Sequence, residues 1–130
     1  MPYRFELDVE HKILLIVLEG EMVARDVETF QGDIQKHVTE FDPVGAIADF
    51  SAVTIFEVPG EALRKAALQP APFPSTTPRF IVAPTDFLFG MARMYELAAN
   101  RPNEMLKVVR SMAEALAGLG IQNPKFVRLP

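Results

Sequence analysis

Few side chains in this sequence are able to carry out chemistry. There is no cysteine, which excludes disulfides, thiolate catalysis and cysteine-ligated zinc. The two histidines, His11 and His37, are predicted to lie on a turn and on the polar face of a helix, which is not the spacing of metal ligands or of a Ser-His-acid triad. Neither a Gly-rich dinucleotide fingerprint nor a Walker loop is present. We therefore predict no metal site, no catalytic triad and no cofactor.

Two carboxylates are candidates for acid/base catalysis. Asp49 and Asp86 each follow a short apolar run that predicts a strand, and the carboxyl ends of parallel strands form the usual ligand-binding edge of an α/β sheet. Asp49 could act as a general base there. The simpler interpretation is structural, because such carboxylates accept hydrogen bonds from loop amides or cap helices. We predict no enzyme and no catalytic residue, and keep an enzyme that uses Asp49 or Asp86 as the second alternative.

The apolar residues around that edge give the stronger signal. Five phenylalanines are predicted to lie at or just beyond strand ends, one of them in the segment 69–78, whose four prolines predict a stiff loop. The following helix continues this apolar surface and has only a narrow polar stripe. A loop over an apolar cleft is typical of a hydrophobic ligand pocket, and ordinary core packing is the alternative. The predicted ligand-binding residues are Phe50, Phe56, Phe73, Phe87, Phe89, Met91, Met94 and Tyr95.

The elements that position these residues follow from periodicity. Alternation over residues 3–9 and an aliphatic run over 13–18 predict two strands that form a hairpin. Apolar residues spaced by three and four from Val23 to Phe41 predict a long amphipathic helix that ends at Asp42-Pro43. The elements predicted after it are a short buried strand over 46–50, a helix from Pro59 to about Leu68, a strand over 80–83, a helix capped by Thr85 or Asp86, a strand over 104–109 and a helix from the Ser111 capping box to Gly120.

This order predicts the fold class. Strands that alternate with helices imply parallel strands joined by crossovers. We predict a single α/β domain over residues 1–120, with a mixed, mostly parallel sheet of about five strands and about four helices. The 130 residues, 49% of them hydrophobic, suffice for one core. The apolar tail, residues 121–130, is expected to dock on the domain or on a partner subunit.

Charge and hydropathy limit the partners. The net charge of −4 argues against nucleic acid, which selects a basic face. The longest apolar run, residues 13–18, is too short to cross a bilayer. The first residues alternate instead of forming a signal peptide. A cytoplasmic location is therefore predicted.

Three segments resemble STAS domains. Residues 48–60, Ala-Asp-Phe-Ser-Ala-Val-Thr-Ile-Phe-Glu-Val-Pro-Gly, look like the strand-loop-helix segment of anti-sigma-factor antagonists, which typically read Asp-Leu-Ser-x-Val-Thr-x-Ile-Asp-Ser-Ser-Gly. Residues 81–95 and 106–116 are similar to the SpoIIAA-like branch, which is related to CRAL-TRIO lipid-binding domains. The resemblance covers most of residues 3–119. It implies a STAS/SpoIIAA-like fold, a nonpolar ligand and peripheral membrane association.

The sequence departs from that family at one informative position. In the antagonists, the second serine of the Asp-Ser-Ser-Gly motif is phosphorylated. Pro59 stands at this position, preceded by Glu57 and Val58. Proline has no hydroxyl group, so the phosphorylation switch is not carried over.

The leading functional hypothesis is a non-enzymatic binding or regulatory domain for a small apolar ligand such as a lipid or fatty acid. The first alternative is a protein-interaction module that acts through dimerisation or by docking a regulator. A pocket of roughly 300 Å³ or more would favour the apolar ligand, and an exposed apolar patch would favour the interaction module. The predicted partners are accordingly a hydrophobic small molecule or lipid, a membrane surface contacted peripherally, and a second copy of the chain.

Overall fold

A six-stranded sheet forms the centre of the protein, and its strand order is β5-β4-β3-β2-β1-β6. The computed structural model describes residues 2–99 and 105–130. The strands are β1 (Tyr3–Asp8), β2 (Ile13–Val23), β3 (Gly45–Glu57), β4 (Arg79–Val82), β5 (Leu106–Val109) and β6 (Val127–Arg128). The helices are α1 (Ala24–Phe41), α2 (Gly60–Ala67), α3 (Asp86–Ala99) and α4 (Met112–Leu119). Glu104, the predicted first residue of the fifth strand, lies outside the described residues.

The sheet is mixed and mostly parallel, as predicted. β1 and β2 form the antiparallel hairpin, whereas β2, β3, β4 and β5 run parallel. The aliphatic run of β2 is buried over all six residues from Ile13 to Leu18 because both faces of the sheet are covered. Leu14 and Ile16 pack towards α1, α2 and α3, while Ile13 and Leu15 pack towards α4. Because successive side chains of a strand point to opposite faces, β2 contributes to a hydrophobic core on each face of the sheet.

The third strand is much longer than the predicted segment 46–50. β3 runs from Gly45 to Glu57, and its second half pairs with an extension of β2 over residues 19–23. Gly20 lies inside β2, where its positive φ of 77° lets the chain bend and continue beyond the predicted run 13–18. Two register shifts accompany that bend. Phe50 and Phe56 therefore lie within a strand, not beyond its end.

The C-terminal tail adds the sixth strand, one more than predicted. β6 pairs with β1 in antiparallel orientation, and Leu129 donates its N–H to the Phe5 carbonyl at 2.8 Å. Ile121 is buried, and Phe126 packs on the same core. The tail is thus docked on its own domain; the division at residue 120 stays a prediction.

Helix α1 confirms the predicted stripe but corrects two positions. Val27 and Ile34 are buried. Val23 ends β2 instead of opening the helix, and its N–H is capped by the Asp26 carboxylate at 2.8 Å. His37, which was predicted on the polar face, stacks on Phe5 with ring centroids 4.0 Å apart. Its position borders the apolar stripe, and the flat imidazole can lie on a neighbouring aromatic ring.

Candidate functional site

The predicted aromatic cluster divides into an inner and an outer group. The inner group lines a cavity of about 140 Å³ between the sheet and helices α1, α2 and α3. Five of the eight predicted ligand-binding residues belong to it: Phe50, Phe56, Phe73, Met91 and Tyr95. The other three, Phe87, Phe89 and Met94, do not line the cavity. The sequence pattern could not separate the two groups, because α3 is apolar on two sides and only one of them faces the cavity.

The size of the cavity limits what it can hold. Apart from Gln31, Arg79 and Tyr95, its lining residues are apolar. The Gln31 side-chain amide donates to the Ala66 carbonyl at 3.1 Å. A volume of 140 Å³ is close to that of the engineered apolar cavities of about 150 Å³ that stay dry and bind benzene. It is well below the roughly 300 Å³ of small-molecule pockets. A fatty acid does not fit this cavity unless the surrounding helices move.

The side chain of Phe73 forms part of the wall of this cavity. Its side chain is buried although it lies in the proline-rich segment 69–78, which has no helix or strand, as predicted. The Arg79 guanidinium lies 5.4 Å from the centre of the Phe73 ring, within cation–π range. The loop therefore carries a core residue on its inner side.

The outer group meets solvent. Phe87 is 58% exposed, and its ring contacts Phe56 edge-to-face at 6.3 Å. Phe89 lies beneath the guanidinium of Arg110 at 4.1 Å. Met94 faces away from the cavity and lines a second, open depression.

That depression is a groove between α2 and α3, and we call it the α2–α3 groove. It is open to solvent and is lined by Arg64, Leu68, Gly90, Arg93, Met94, Leu97 and Ala98. Leu68 and Leu97 are 71% and 67% exposed, among the most exposed large hydrophobic side chains of the described residues. The narrow polar stripe of α3 was the signal for it, since a helix that is apolar on two sides can cover a core with only one of them.

Both candidate carboxylates have partners within the chain. Asp49 accepts hydrogen bonds from the backbone N–H and the hydroxyl of Ser51, at 2.9 and 2.6 Å. Asp86 forms an ion pair with Arg110 at 2.8 Å. The cap of α3 is Thr85, whose hydroxyl accepts the N–H of Leu88 at 3.2 Å. Within residues 2–99 and 105–130, no three His, Asp or Glu side chains cluster as metal ligands would.

The motif resemblance aligns Pro59, at the start of α2, with the serine that is phosphorylated in the antagonists. Pro59 precedes the first helical residue, Gly60, and is exposed. Its φ of −59° suits a helix start. Ser51 and Thr54 are exposed on β3 and do not occupy this helix start.

None of the helices in the described ranges combines the length and the apolar character that a bilayer crossing requires.

Comparison with known proteins identifies the fold. No protein-family model matches the chain, and no curated protein matches it. The structure of the anti-sigma factor antagonist SpoIIAA in its unphosphorylated form is similar, with a TM-score of 0.54 and 13% identity over 91% of this chain and 97% of that one. The Bacillus cell fate determinant SpoIIAA in its phosphorylated form gives a TM-score of 0.52 and 15% identity over 90% and 98%. The predicted kinship to CRAL-TRIO domains stays a prediction, whereas the predicted SpoIIAA-like, STAS-type α/β fold is the fold of this chain.

Proposed function

We propose that this protein is a regulatory protein-interaction domain that docks a partner protein in the α2–α3 groove. The observation that carries the proposal is the groove itself, with Leu68 and Leu97 more than two-thirds exposed. The likeness to an anti-sigma factor antagonist supports a regulatory role without catalysis. The apolar-ligand hypothesis receives less support, because the inner cavity is too small for a fatty acid.

The chemistry of the groove suits an amphipathic helix. Covering one exposed leucine contributes roughly 1.5–3 kcal/mol, so two leucines supply a small hot spot. Arg64 on α2 and Arg93 on α3 also line the groove, and Lys65 is exposed on α2. Arg93 is paired with Glu96 within α3. A partner helix with an apolar ridge and acidic flanks would match this surface, in the helix-in-groove mode.

Pro59 implies that this regulation works without phosphate at the start of α2. The SpoIIAA of the comparison exists in a phosphorylated form, but Pro59 offers no hydroxyl here. We therefore propose that occupancy of the groove, and not phosphorylation of the segment from Ser51 to Pro59, is the variable that the cell changes. Phosphopeptide mapping from the native cells would contradict this if phosphate on Ser51 or Thr54 altered partner binding.

The experiment begins with tagged protein purified from its own cells, with cross-linking to identify contacts at Lys65. The affinity of the purified partner is then measured by calorimetry for the wild type and for Leu97→Ser. We expect a tenfold to hundredfold weaker affinity, since each 1.4 kcal/mol is about tenfold, and weaker binding at high salt. Val9→Ser is the matched control, because Val9 is 71% exposed on the turn between β1 and β2. Equal affinities for both variants would reject the groove as the docking site.

A second candidate is a small apolar ligand in the inner cavity, which five of the eight predicted residues line. The probe is toluene, and binding to the folded state should raise the melting temperature. Ala92 also lines the cavity, so Ala92→Leu should fill it and abolish the rise. Native mass spectrometry of protein from its own cells separates the two functions: a retained apolar molecule without a protein partner would favour this candidate.

A further inference from the structure

We propose that the inner cavity controls the α2–α3 groove: an apolar molecule that is larger than the cavity moves α2 relative to α3 and thereby weakens the docking of a partner. The inference deepens the proposed function and rests on it, since the groove is the docking site that is regulated. Its physical basis is that the two sites share two walls, because α2 and α3 each line both the cavity and the groove.

Helix α2 contributes neighbouring residues to the two sites. Leu63 is buried and lines the cavity. Arg64 and Leu68, on the same two turns of helix, line the groove. A displacement of α2 that makes room behind Leu63 therefore also displaces the rim of the groove.

Helix α3 has the same double role. Met91 and Tyr95 line the cavity, whereas Met94 and Leu97 line the groove. The two helices meet closely at Gly60, where an added Cβ would lie 3.6 Å from the Met94 sulfur. The spacing of α2 and α3 thus sets the width of the groove and the volume of the cavity together.

Helix α2 is the wall of the cavity that is most able to move. It has 8 residues, against 18 in α1 and 14 in α3. It begins directly after Pro59 and leads into the segment 69–78, which has no helix or strand. The opposite wall is the hydrogen-bonded sheet, and the Tyr3 hydroxyl on β1 ties α1 to that sheet by donating to Asp33 at 2.6 Å. A molecule that overfills the cavity therefore displaces α2.

Size decides which molecules have this effect. The cavity of about 140 Å³ accepts benzene without rearrangement, as engineered cavities of about 150 Å³ do. Butylbenzene carries an additional butyl chain and fits only when α2 shifts outwards. A docked partner covers Leu68 on α2 and Leu97 on α3 at once, so it favours the present spacing of the helices. Two molecules that favour different spacings oppose each other, and the opposition is reciprocal.

Spin labels test the movement without a partner. The chain has no cysteine, so Lys65→Cys and Arg93→Cys place one label on each helix, both at exposed positions. Butylbenzene should lengthen the distance between the labels by about 1–2 Å, the usual size of helix shifts, and benzene should leave it unchanged. The matched pair Lys36→Cys on α1 and Arg93→Cys on α3 should respond to neither molecule. Ala92→Leu, which fills the cavity, should abolish the response of the first pair.

Partner affinity completes the test. Saturating butylbenzene should weaken the purified partner about fivefold or more, benzene should not, and Ala92→Leu should bind the partner equally well with and without butylbenzene. If Leu97→Ser weakens the partner but butylbenzene does not, the docking site stands and the coupling is overturned. If Leu97→Ser has no effect, the docking site is wrong, and the label distances alone decide whether the cavity controls the groove. Butylbenzene that fails to bind, or that binds without changing the α2–α3 distance, would overturn the inference.

Discussion

Replacing Asp8 with alanine should detach the C-terminal strand. Asp8 is 1% exposed and accepts hydrogen bonds from three donors. The His11 N–H and the His11 ring Nδ1 lie 3.1 and 2.9 Å from its oxygens. The Lys125 N–H lies 3.1 Å away and belongs to the tail. One carboxylate therefore joins the β1–β2 turn to the segment that leads into β6.

The expected loss of stability follows from those bonds. A hydrogen bond to a charged group contributes about 1.5–3 kcal/mol, and water can replace the bond to the half-exposed His11 ring. We expect Asp8→Ala to lower the free energy of unfolding by about 3–4 kcal/mol. Asp8→Asn keeps an acceptor oxygen and should cost less. Glu10→Ala, an exposed change in the same turn, should stay within about 0.5 kcal/mol.

The same carboxylate should make stability depend on pH. Burial alone would raise the pKa of Asp8, but the hydrogen bonds from His11 and Lys125 outweigh it and hold that pKa below its usual value. A lowered pKa in the folded state means that the stabilisation is complete above the unfolded value of about 3.9 and is lost as the pH falls through the folded pKa. Asp8→Asn should remove this part of the acid sensitivity.

Urea unfolding at pH 7 and pH 3 measures both effects, and hydrogen exchange locates them. The Leu129 N–H, which bonds to Phe5, should exchange faster in Asp8→Ala while the amides of β2 stay protected. An Asp8→Ala variant that unfolds at the same urea concentration as Glu10→Ala would refute the reasoning.

Two further pairs of variants test the packing. A Cβ on Gly118 would lie 2.3 Å from a ring carbon of Phe80, so Gly118→Ala should lower the free energy of unfolding by about 1–3 kcal/mol. A Cβ on Gly32 meets nothing within 4 Å, so Gly32→Ala should raise the free energy of unfolding by about 0.5–1 kcal/mol. Urea midpoints that shift in the same direction would contradict this. Phe30 packs on the core but is only half-buried, so Phe30→Ala should cost about 2–3 kcal/mol, below the ~3–5 kcal/mol of a fully buried phenylalanine. The exposed Lys36→Ala should change little, and equal urea midpoints for these two variants would mean that the helix presents a different face.

Local patterns in the sequence determined most of the fold. The alternation of β1, the two-sided apolar run of β2 and the stripe of α1 each depend on neighbouring residues, so their periods predict the elements directly. The Ser111 cap is likewise local, and its hydroxyl accepts the Glu114 N–H at 3.2 Å. The absence of cysteine and the proline at position 59 are facts of composition and needed no structure.

Contacts between distant segments decided the rest. The length of β3 depends on its pairing with residues 19–23 of β2, and the docking of the tail depends on Asp8 and Lys125, which are 117 residues apart. No local period carries such information. The sequence also predicted an apolar cluster without showing which members would face inwards. Only the packing of α1, α2 and α3 on the sheet separated the small cavity from the exposed groove, because the volume left between elements depends on their relative positions and not on their composition.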